Sequence, residues 1–275
     1  MKRIAVILLV LATLLTLSAC DRGEGGAAGY GAGGGQSLRE GSTSPLHSSI
    51  AQDQTYQQLL GMNIILYPPP IDDPKFDAYG KAHWELDATA FTDAAKAAFS
   101  GDMGETAVYE PKVDALQSHE FVGQISQAIY GGAPVQVGWA YGMNANLDFM
   151  ETNGATVTVI PVYNALYFMG TKADVDAATF KLPVSTAKAF YFPAGSVTEL
   201  LPDTLRSAPV RVAEATGQLT IVIVPEGVAL QTASAGSGFD QALVANSRWV
   251  FGLPDNTFGF YAGLDGSNVN INAVD

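Results

Sequence analysis

The chain has 275 residues, of which 48% are hydrophobic and 15% are charged, and its formal net charge is −13. This composition is that of a globular protein with a large apolar core. The excess of acidic residues argues against nucleic acid and anionic lipid as partners, because basic patches bind both of them.

The N-terminus has the pattern of a targeting segment. Met1-Lys2-Arg3 is basic, and an apolar run of about 14 residues follows it, which is short for a membrane span and typical of a signal peptide. The run ends in Leu17-Ser18-Ala19-Cys20, which resembles the lipobox of bacterial lipoproteins. The resemblance implies cleavage after Ala19, acylation of Cys20 and attachment to a membrane. An ordinary secretory signal that happens to precede a cysteine is the alternative.

Cys20 is the single cysteine of the chain, so its acylation leaves no disulfide and no thiol nucleophile. Asp21 resembles the signal that keeps some Gram-negative lipoproteins on the inner membrane. We therefore expect an extracytoplasmic lipoprotein of the cell envelope, anchored at the inner membrane in a Gram-negative cell.

Residues 20–49 are rich in Gly, Ala and Ser, which indicates a flexible tether. These glycines do not form a phosphate-binding loop, because no strand precedes them and no Lys-Ser or Lys-Thr pair follows. The predicted organisation is a signal peptide over 1–19, the tether over 20–49 and a single domain over 50–275 with a helical N-terminal part.

The first part of the domain has helical patterns. Residues 52–66 are consistent with a short helix or strand, and 83–86 with a strand. Thr92 is the predicted N-cap of a helix that runs to about Phe99. Ser118 is the predicted N-cap of a second helix, which ends at Gly131-Gly132.

After residue 134 the hydrophobic period changes to two, as in half-buried strands. Short strands bounded by Gly, Pro and Asp turns predict a mainly β domain with N-terminal helices, built as an antiparallel jelly-roll barrel or β-sandwich. Residues 219–224 are apolar on both faces, which predicts a central strand. The predicted strands cover residues 135–139, 157–159, 165–169, 189–192, 196–200, 209–213, 219–224, 249–253 and 258–264.

Several fragments, in matching order, resemble an uncharacterised cupin-like domain family of bacterial proteins. The family occurs beside sugar-metabolism enzymes and is distantly like ureidoglycolate lyase and uronate isomerase cupins. The resemblance implies a cupin-like jelly roll and no established activity. The fragments are Phe-Asp-Ala-Tyr-Gly at 76–80, Ile-Tyr-Gly-Gly-Ala-Pro-Val-Gln-Val-Gly at 129–138, Phe-Pro-Ala-Gly at 192–195, residues 205–209, and Ala-Asn-Ser-Arg-Trp at 245–249.

The family's pattern carries histidines that suit a metal site, and this sequence departs from it at each one. Met143, Asn153 and Arg206 stand where the resemblance would place the three histidines, while Glu151 is retained. The resemblance therefore implies no metal and no cofactor. At its position Arg206 would supply a positive charge that can pair with a carboxylate or a bound anion.

The candidate ligand-binding residues are polar positions near this degenerate site and on the strand after the Pro-Ala-Gly turn. Aromatic residues of the strands, Tyr167 among them, are more commonly used for core packing than for stacking on a sugar. No serine-nucleophile motif is present, so serine hydrolase chemistry has no support. The candidates are Asn144, Glu151, Asn153, Glu199 and Arg206.

Three functions stay open from the sequence. The favoured one is a lipid-anchored cupin-like protein, leaning towards no catalysis, that binds a small polar ligand such as a sugar or organic anion, or a protein partner. The second is a metal-dependent sugar or uronate isomerase or lyase that uses Glu151 and Glu199. The third is a structural subunit, which would form a homodimer.

Overall fold

The structure is a computed structural model that describes residues 50–228, 238–245 and 248–275. The predicted signal peptide, lipobox and tether lie outside the described residues. The longest described helix has 11 residues, so the described part of the chain contains no helical membrane span.

Four α-helices precede the main strands. The second and fourth helices carry apolar residues at helical spacing, and Gly131 ends the fourth in the left-handed conformation, with φ of 62°. The helices are α1 (Gln54–Met62), α2 (Thr89–Ala98), α3 (Asp114–Gln117) and α4 (Glu120–Tyr130).

Fifteen strands are described. Six form one sheet in the order β1-β9-β5-β12-β3-β2, which we call sheet 1. Sheet 2 has the order β11-β6-β10-β4-β14-β13, with β8 also paired to β6, and β15 pairs with β7 separately. The strands are β1 (Gly80–Ala82), β2 (Val108–Glu110), β3 (Val135–Gly142), β4 (Phe149–Thr152), β5 (Val157–Pro161), β6 (Ala165–Thr171), β7 (Leu182–Pro183), β8 (Lys188–Phe192), β9 (Thr198–Leu200), β10 (Thr204–Ser207), β11 (Val210–Arg211), β12 (Gln218–Pro225), β13 (Leu243–Ala245), β14 (Arg248–Gly252) and β15 (Leu264–Asp265).

The strand pairing is that of a jelly roll. The eight strands of the jelly roll, in chain order, are β3, β4, β5, β6, β8, β9, β10 and β12. In sheet 1 the first (β3) lies beside the eighth (β12), the eighth beside the third (β5), and the third beside the sixth (β9). The second lies beside the seventh, the seventh beside the fourth, and the fourth beside the fifth in sheet 2. All these pairs are antiparallel, so the predicted antiparallel jelly-roll fold with N-terminal helices is confirmed.

Apolar side chains fill three layers. Between the sheets, Val157 and Val222 of sheet 1 pack with Phe190 of sheet 2. On the outer face of sheet 1, α2 and α4 bury Phe91 and Ile125. Helix α1 packs against the outer face of sheet 2. The core therefore fills most of the space between the sheets and covers the outer face of each sheet.

The prediction of a central strand is confirmed, because β12 lies between β3 and β5 and is buried over seven of its eight residues. The prediction of a strand over 83–86 is wrong, since β1 ends at Ala82. The strand predicted over 258–264 is also wrong. There the Asn256 side chain bonds the backbone N–H and carbonyl of Phe260 and closes a loop, and only Leu264 and Asp265 form a short strand.

Both predicted helix starts shift. Helix α2 begins at Thr89, and Thr92 lies inside it with its hydroxyl donating to the Thr89 carbonyl at 2.9 Å. Helix α4 is capped by His119 rather than Ser118, because His119 Nδ1 accepts the Phe121 N–H at 3.2 Å. When several neighbouring residues can cap a helix, the sequence alone does not show which of them is the N-cap.

Candidate functional site: a cationic cavity between the sheets

A cavity of about 40 Å³ lies between the two sheets. It is much smaller than an ordinary small-molecule site and has room for a few water molecules or one small polar group. Strands β2, β3 and β12 contribute residues from sheet 1, and β4, β6, β10 and β14 from sheet 2. The lining residues are Ala107, Val108, Tyr109, Ala140, Phe149, Glu151, Tyr167, Arg206, Ser207, Ala208, Pro209, Val222 and Arg248.

Glu151 stands between two guanidinium groups in this cavity. Arg206 Nη2 donates to Glu151 Oε1 at 2.9 Å, and Arg248 Nε donates to Glu151 Oε2 at 2.7 Å. The first contact follows from sheet register, because Arg206 and Glu151 are directly opposite on β10 and β4. Arg206 Nη2 also donates to Asn153 Oδ1 at 2.9 Å, and the Arg206 side chain is only 7% exposed.

The cluster of Glu151, Arg206 and Arg248 carries one net positive charge, and these are the charged residues among those that line the cavity. Burial by itself raises the pKa of the Glu151 carboxyl. The attraction of Arg248 and then Arg206 outweighs burial, so the pKa lies below its ordinary value of 4.5. The carboxylate is therefore ionised at neutral pH, and one excess positive charge remains on the buried Arg206 and the partly exposed Arg248, whose side chain is 22% exposed.

Two tyrosines complete the polar lining. Burial raises the pKa of Tyr109 and of Tyr167, and the negative charge of Glu151 acts in the same direction on both, so each keeps its phenolic proton. The Arg248 guanidinium lies over the Tyr109 ring, 5.7 Å from its centroid. Both hydroxyls are thus hydrogen-bond donors as well as acceptors at neutral pH.

The hydroxyl of Tyr167 has no hydrogen bond of ordinary geometry to any residue in the described part of the chain, although it is fully buried. The Thr220 hydroxyl lies near enough to favour the ionised phenol slightly. A buried hydroxyl without a partner costs about 1–3 kcal/mol, so such groups normally find one. An oxygen atom of a bound ligand would satisfy it.

The structure brings Glu151, Asn153 and Arg206 together and places the other two predicted site residues elsewhere. Asn144 is buried in the loop after β3, where its side-chain amide donates to the carbonyl of Asn146 at 3.1 Å. Glu199 alternates with Leu200, which faces the space between the sheets, so Glu199 lies on the opposite face of sheet 1. As ligand-binding residues, all five remain predictions.

Glu199 instead belongs to a cluster around His83. Glu199 Oε2 lies 2.9 Å from His83 Nε2, and Glu85 Oε1 lies 2.9 Å from His83 Nδ1. The His83 side chain is only 6% exposed. Each ring nitrogen of His83 therefore lies within hydrogen-bond distance of a carboxylate oxygen. This cluster fixes the segment after β1 to β9.

Sequence reasoning missed Arg248 and Tyr109. Arg248 was part of the fragment Ala-Asn-Ser-Arg-Trp that carries the family resemblance, but a single arginine in a strand has no chemical signature. Tyr109 lies on the short edge strand β2, whose pairing with β3 depends on the closeness of the backbones: a Cβ at Gly138 would meet the Glu110 carbonyl oxygen. Only the register of the sheets shows that both residues reach Glu151.

Among the described residues, no group of three or more His, Cys, Asp or Glu side chains is placed to hold a metal ion. The lining of the cavity contributes one carboxylate and no imidazole or thiolate. With two guanidinium groups bound to that carboxylate, its oxygens are already used. These donors fit an anion better than a divalent cation.

Comparison with solved structures gives only distant similarities. The chain is 8% identical to oxalate decarboxylase from Bacillus subtilis, with a TM-score of 0.28, over 48% of this chain and 28% of that one. It is 13% identical to SnoN, an epimerase of nogalamycin biosynthesis, with a TM-score of 0.32, over 69% of this chain and 94% of that one. Vicilin from Corylus avellana gives 9% identity and a TM-score of 0.27, over 56% of this chain and 33% of that one. The jelly-roll assignment therefore rests on the strand pairing and not on these similarities.

Sequence comparison places the chain in a family. No curated protein matches it. Residues 69–269, which include nearly all of the sandwich and every residue that lines the cavity, match the family described as "Domain of unknown function (DUF4867)". Because this match covers well over half of its length, the chain belongs to the DUF4867 family.

Proposed function

We propose that this protein is a lipid-anchored protein of the cell envelope whose jelly roll binds a small organic anion in the cavity between its sheets. The observation that carries the proposal is the cluster of Glu151, Arg206 and Arg248, which leaves one positive charge uncompensated within a small cavity. A buried excess charge is costly, and a bound counter-ion removes the cost.

The chemical class of the ligand follows from the donors. Arginine guanidinium groups bind carboxylates in a planar, often bidentate arrangement, and the phenols of Tyr109 and Tyr167 can bond further oxygens. A cavity of about 40 Å³ has room for one carboxylate group, so the ligand is a short carboxylic acid, or an acidic sugar whose remainder lies outside the mouth. Hydrophobic neighbours such as Phe149 and Val222 would exclude water around it.

The anchoring part of the proposal rests on the lipobox of residues 17–20. Acyl chains on Cys20 would hold the domain at the membrane, since each buried CH₂ contributes about 0.8 kcal/mol. It is tested separately from binding: Cys20→Ser should move the protein from the membrane to the soluble fraction and abolish incorporation of labelled palmitate. Unchanged fractionation of the variant would contradict the anchor and leave the ligand site untouched.

The ligand site is tested by calorimetric titration of acetate, malonate and glucuronate into the purified chain. For the probe that binds, we expect Arg206→Gln to weaken binding about ten- to hundredfold, because a charge-assisted hydrogen bond contributes about 1.5–3 kcal/mol. Arg211→Gln is the matched control, since Arg211 lies outside the cavity lining and its nearest acid, Glu214, is 3.7 Å away. Equal weakening by both variants would show a nonspecific charge effect.

A rescue experiment tests the carboxylate position itself. Glu151→Ala removes the group that the two arginines share, so we expect added acetate to raise the thermal midpoint of this variant more than that of the unmodified chain. No difference between the two would contradict a carboxylate site here. Metal analysis of the same preparation covers the alternative, because about one transition metal per chain would favour a metal-dependent isomerase or lyase.

A further inference from the structure

The turn that follows helix α1 presents large apolar side chains to solvent. Ile65 is 99% exposed, Ile64 is 76% exposed and Tyr67 is 62% exposed. Turn positions normally hold Gly, Asn, Asp, Pro or Ser, and isoleucine is a poor turn former. A cluster of exposed apolar residues of this kind commonly marks an interaction surface. We call residues 63–67 the apolar turn.

The apolar turn is held in place by its polar first residue. The backbone carbonyl of Asn63 accepts the N–H groups of Leu66 and Tyr67, at 3.1 and 2.8 Å. The Asn63 side chain donates to the carbonyls of Leu59 and Asn272 and accepts the Asn272 N–H at 3.0 Å. Tyr67 has a positive φ of 37°, which is unfavourable for a tyrosine. These bonds fix the backbone of the turn in a conformation that leaves the two isoleucines exposed.

We propose that the apolar turn inserts into the interfacial region of the membrane to which the domain is anchored. The inference rests on the proposed anchor at Cys20, which keeps a bilayer close to the N-terminal end of the domain. The described chain starts at Ile50, and helix α1 leads straight from there to the turn. Isoleucine and tyrosine together suit the boundary between head groups and acyl chains.

The lipid surface that fits is zwitterionic. No lysine or arginine occurs between Gly41 and Pro74, whereas Asp53, Asp72 and Asp73 lie in this part of the chain. Electrostatic attraction to anionic lipid is therefore absent here, and insertion depends on apolar area alone. A single inserted turn binds weakly by itself and acts as the second contact of an anchored protein.

The test places one fluorescent probe on the turn of the full-length chain. Ile65→Cys is labelled with an environment-sensitive dye and reconstituted in phosphatidylcholine vesicles that carry spin-labelled acyl chains. Leu201→Cys is the matched control, because Leu201 is 41% exposed. Leu201 lies beside Thr204, which pairs with Thr171 at one end of β6. Leu166, which pairs with Val210, lies towards the other end of that strand. The parent chain, which has only Cys20, reports any labelling at that position.

We expect the dye at position 65 to shift to the blue and to be quenched at least twofold more than the dye at position 201. Equal quenching at both positions, or none at position 65, overturns the insertion. A blue shift without vesicles that grows with protein concentration also overturns it, because a second copy then covers the turn. The mass of the Cys20 peptide reports acylation independently. If the chain is not acylated but the dye at position 65 is still quenched, the proposed anchor is refuted and the proposed insertion is supported.

Discussion

Glu151 determines the electrostatics of the cavity at the scale of single residues. One carboxylate is shared by two guanidinium groups, so each arginine depends on it for charge compensation, while the carboxylate retains one partner if the other is lost. Removing the shared member of a buried ion cluster is more costly than removing an outer member, because like charges are then left facing each other.

The first prediction concerns Glu151→Gln. At neutral pH we expect this variant to lose about 3–5 kcal/mol of unfolding free energy, since Arg206 and Arg248 are left without a carboxylate. Glu214→Gln is the control, because Glu214 is 56% exposed and pairs with Arg211 at 3.7 Å, and an exposed pair contributes about 0–1 kcal/mol. Urea titration monitored by circular dichroism measures both values.

The same variant has a pH dependence of known sign. The folded-state pKa of Glu151 is lowered, so its stabilising contribution is complete above the ordinary value of 4.5 and is lost as the pH falls through the lowered folded pKa. The difference in unfolding free energy between the unmodified chain and Glu151→Gln should therefore stay constant from about pH 7 to about pH 5 and be smaller at about pH 3. A difference that stays constant over this whole range would refute the ionised cluster.

At the scale of elements, helix α1 depends on its N-cap residue, Asp53. Asp53 Oδ1 accepts the N–H of Thr55 at 2.9 Å, and Asp53 Oδ2 accepts the Tyr191 hydroxyl at 2.6 Å. One side chain therefore caps the helix and also joins it to β8 of sheet 2. The helix carries the apolar turn, so this cap also fixes where the turn points.

The second prediction is that Asp53→Ala lowers the unfolding free energy by about 1–2 kcal/mol, because both the cap and the bond to Tyr191 are lost. Asp87→Ala is the control: Asp87 is exposed, accepts the Thr89 N–H at 2.9 Å and interacts only with its own helix among the contacts described above. Thermal unfolding of the two variants separates the effects. An equal loss in both would show that the contact with sheet 2 contributes nothing.

The sequence predicts regular elements well and contacts between distant elements poorly, for a physical reason. Period-two alternation marks β3 and β5, whereas a continuous apolar run marks β12, which is buried on both faces. The local sequence pattern does not distinguish the strand β1 from the loop over residues 83–86, since neither segment is long enough to show a period of two. Arg206 was found through its position in a family pattern, but its partner Arg248 depends on the register of β14 against β4, which no local signal records.

At the scale of the whole molecule, the jelly roll builds the cavity from strands that are remote in sequence. Tyr109, Glu151, Arg206 and Arg248 come from four strands in two sheets, and each is held by pairing on at least one side. Strand pairing therefore keeps these cavity-lining groups in one geometry without needing a loop to close over them. Rigid placement of this kind favours recognition of one small shape over adaptation to many.

The pairing of β3 with β12 also constrains when the protein can fold. Val135 pairs with Pro225, so the centre of sheet 1 cannot form until almost the whole domain has been synthesised. Non-local antiparallel pairing of this kind folds slowly, typically in milliseconds to seconds or longer. A nascent chain that ends before Gln218 should be digested by protease, whereas one that extends beyond Pro225 should gain protection. In the proposed lipoprotein, this delay would keep the chain unfolded during export, which is the state that translocation across a membrane requires.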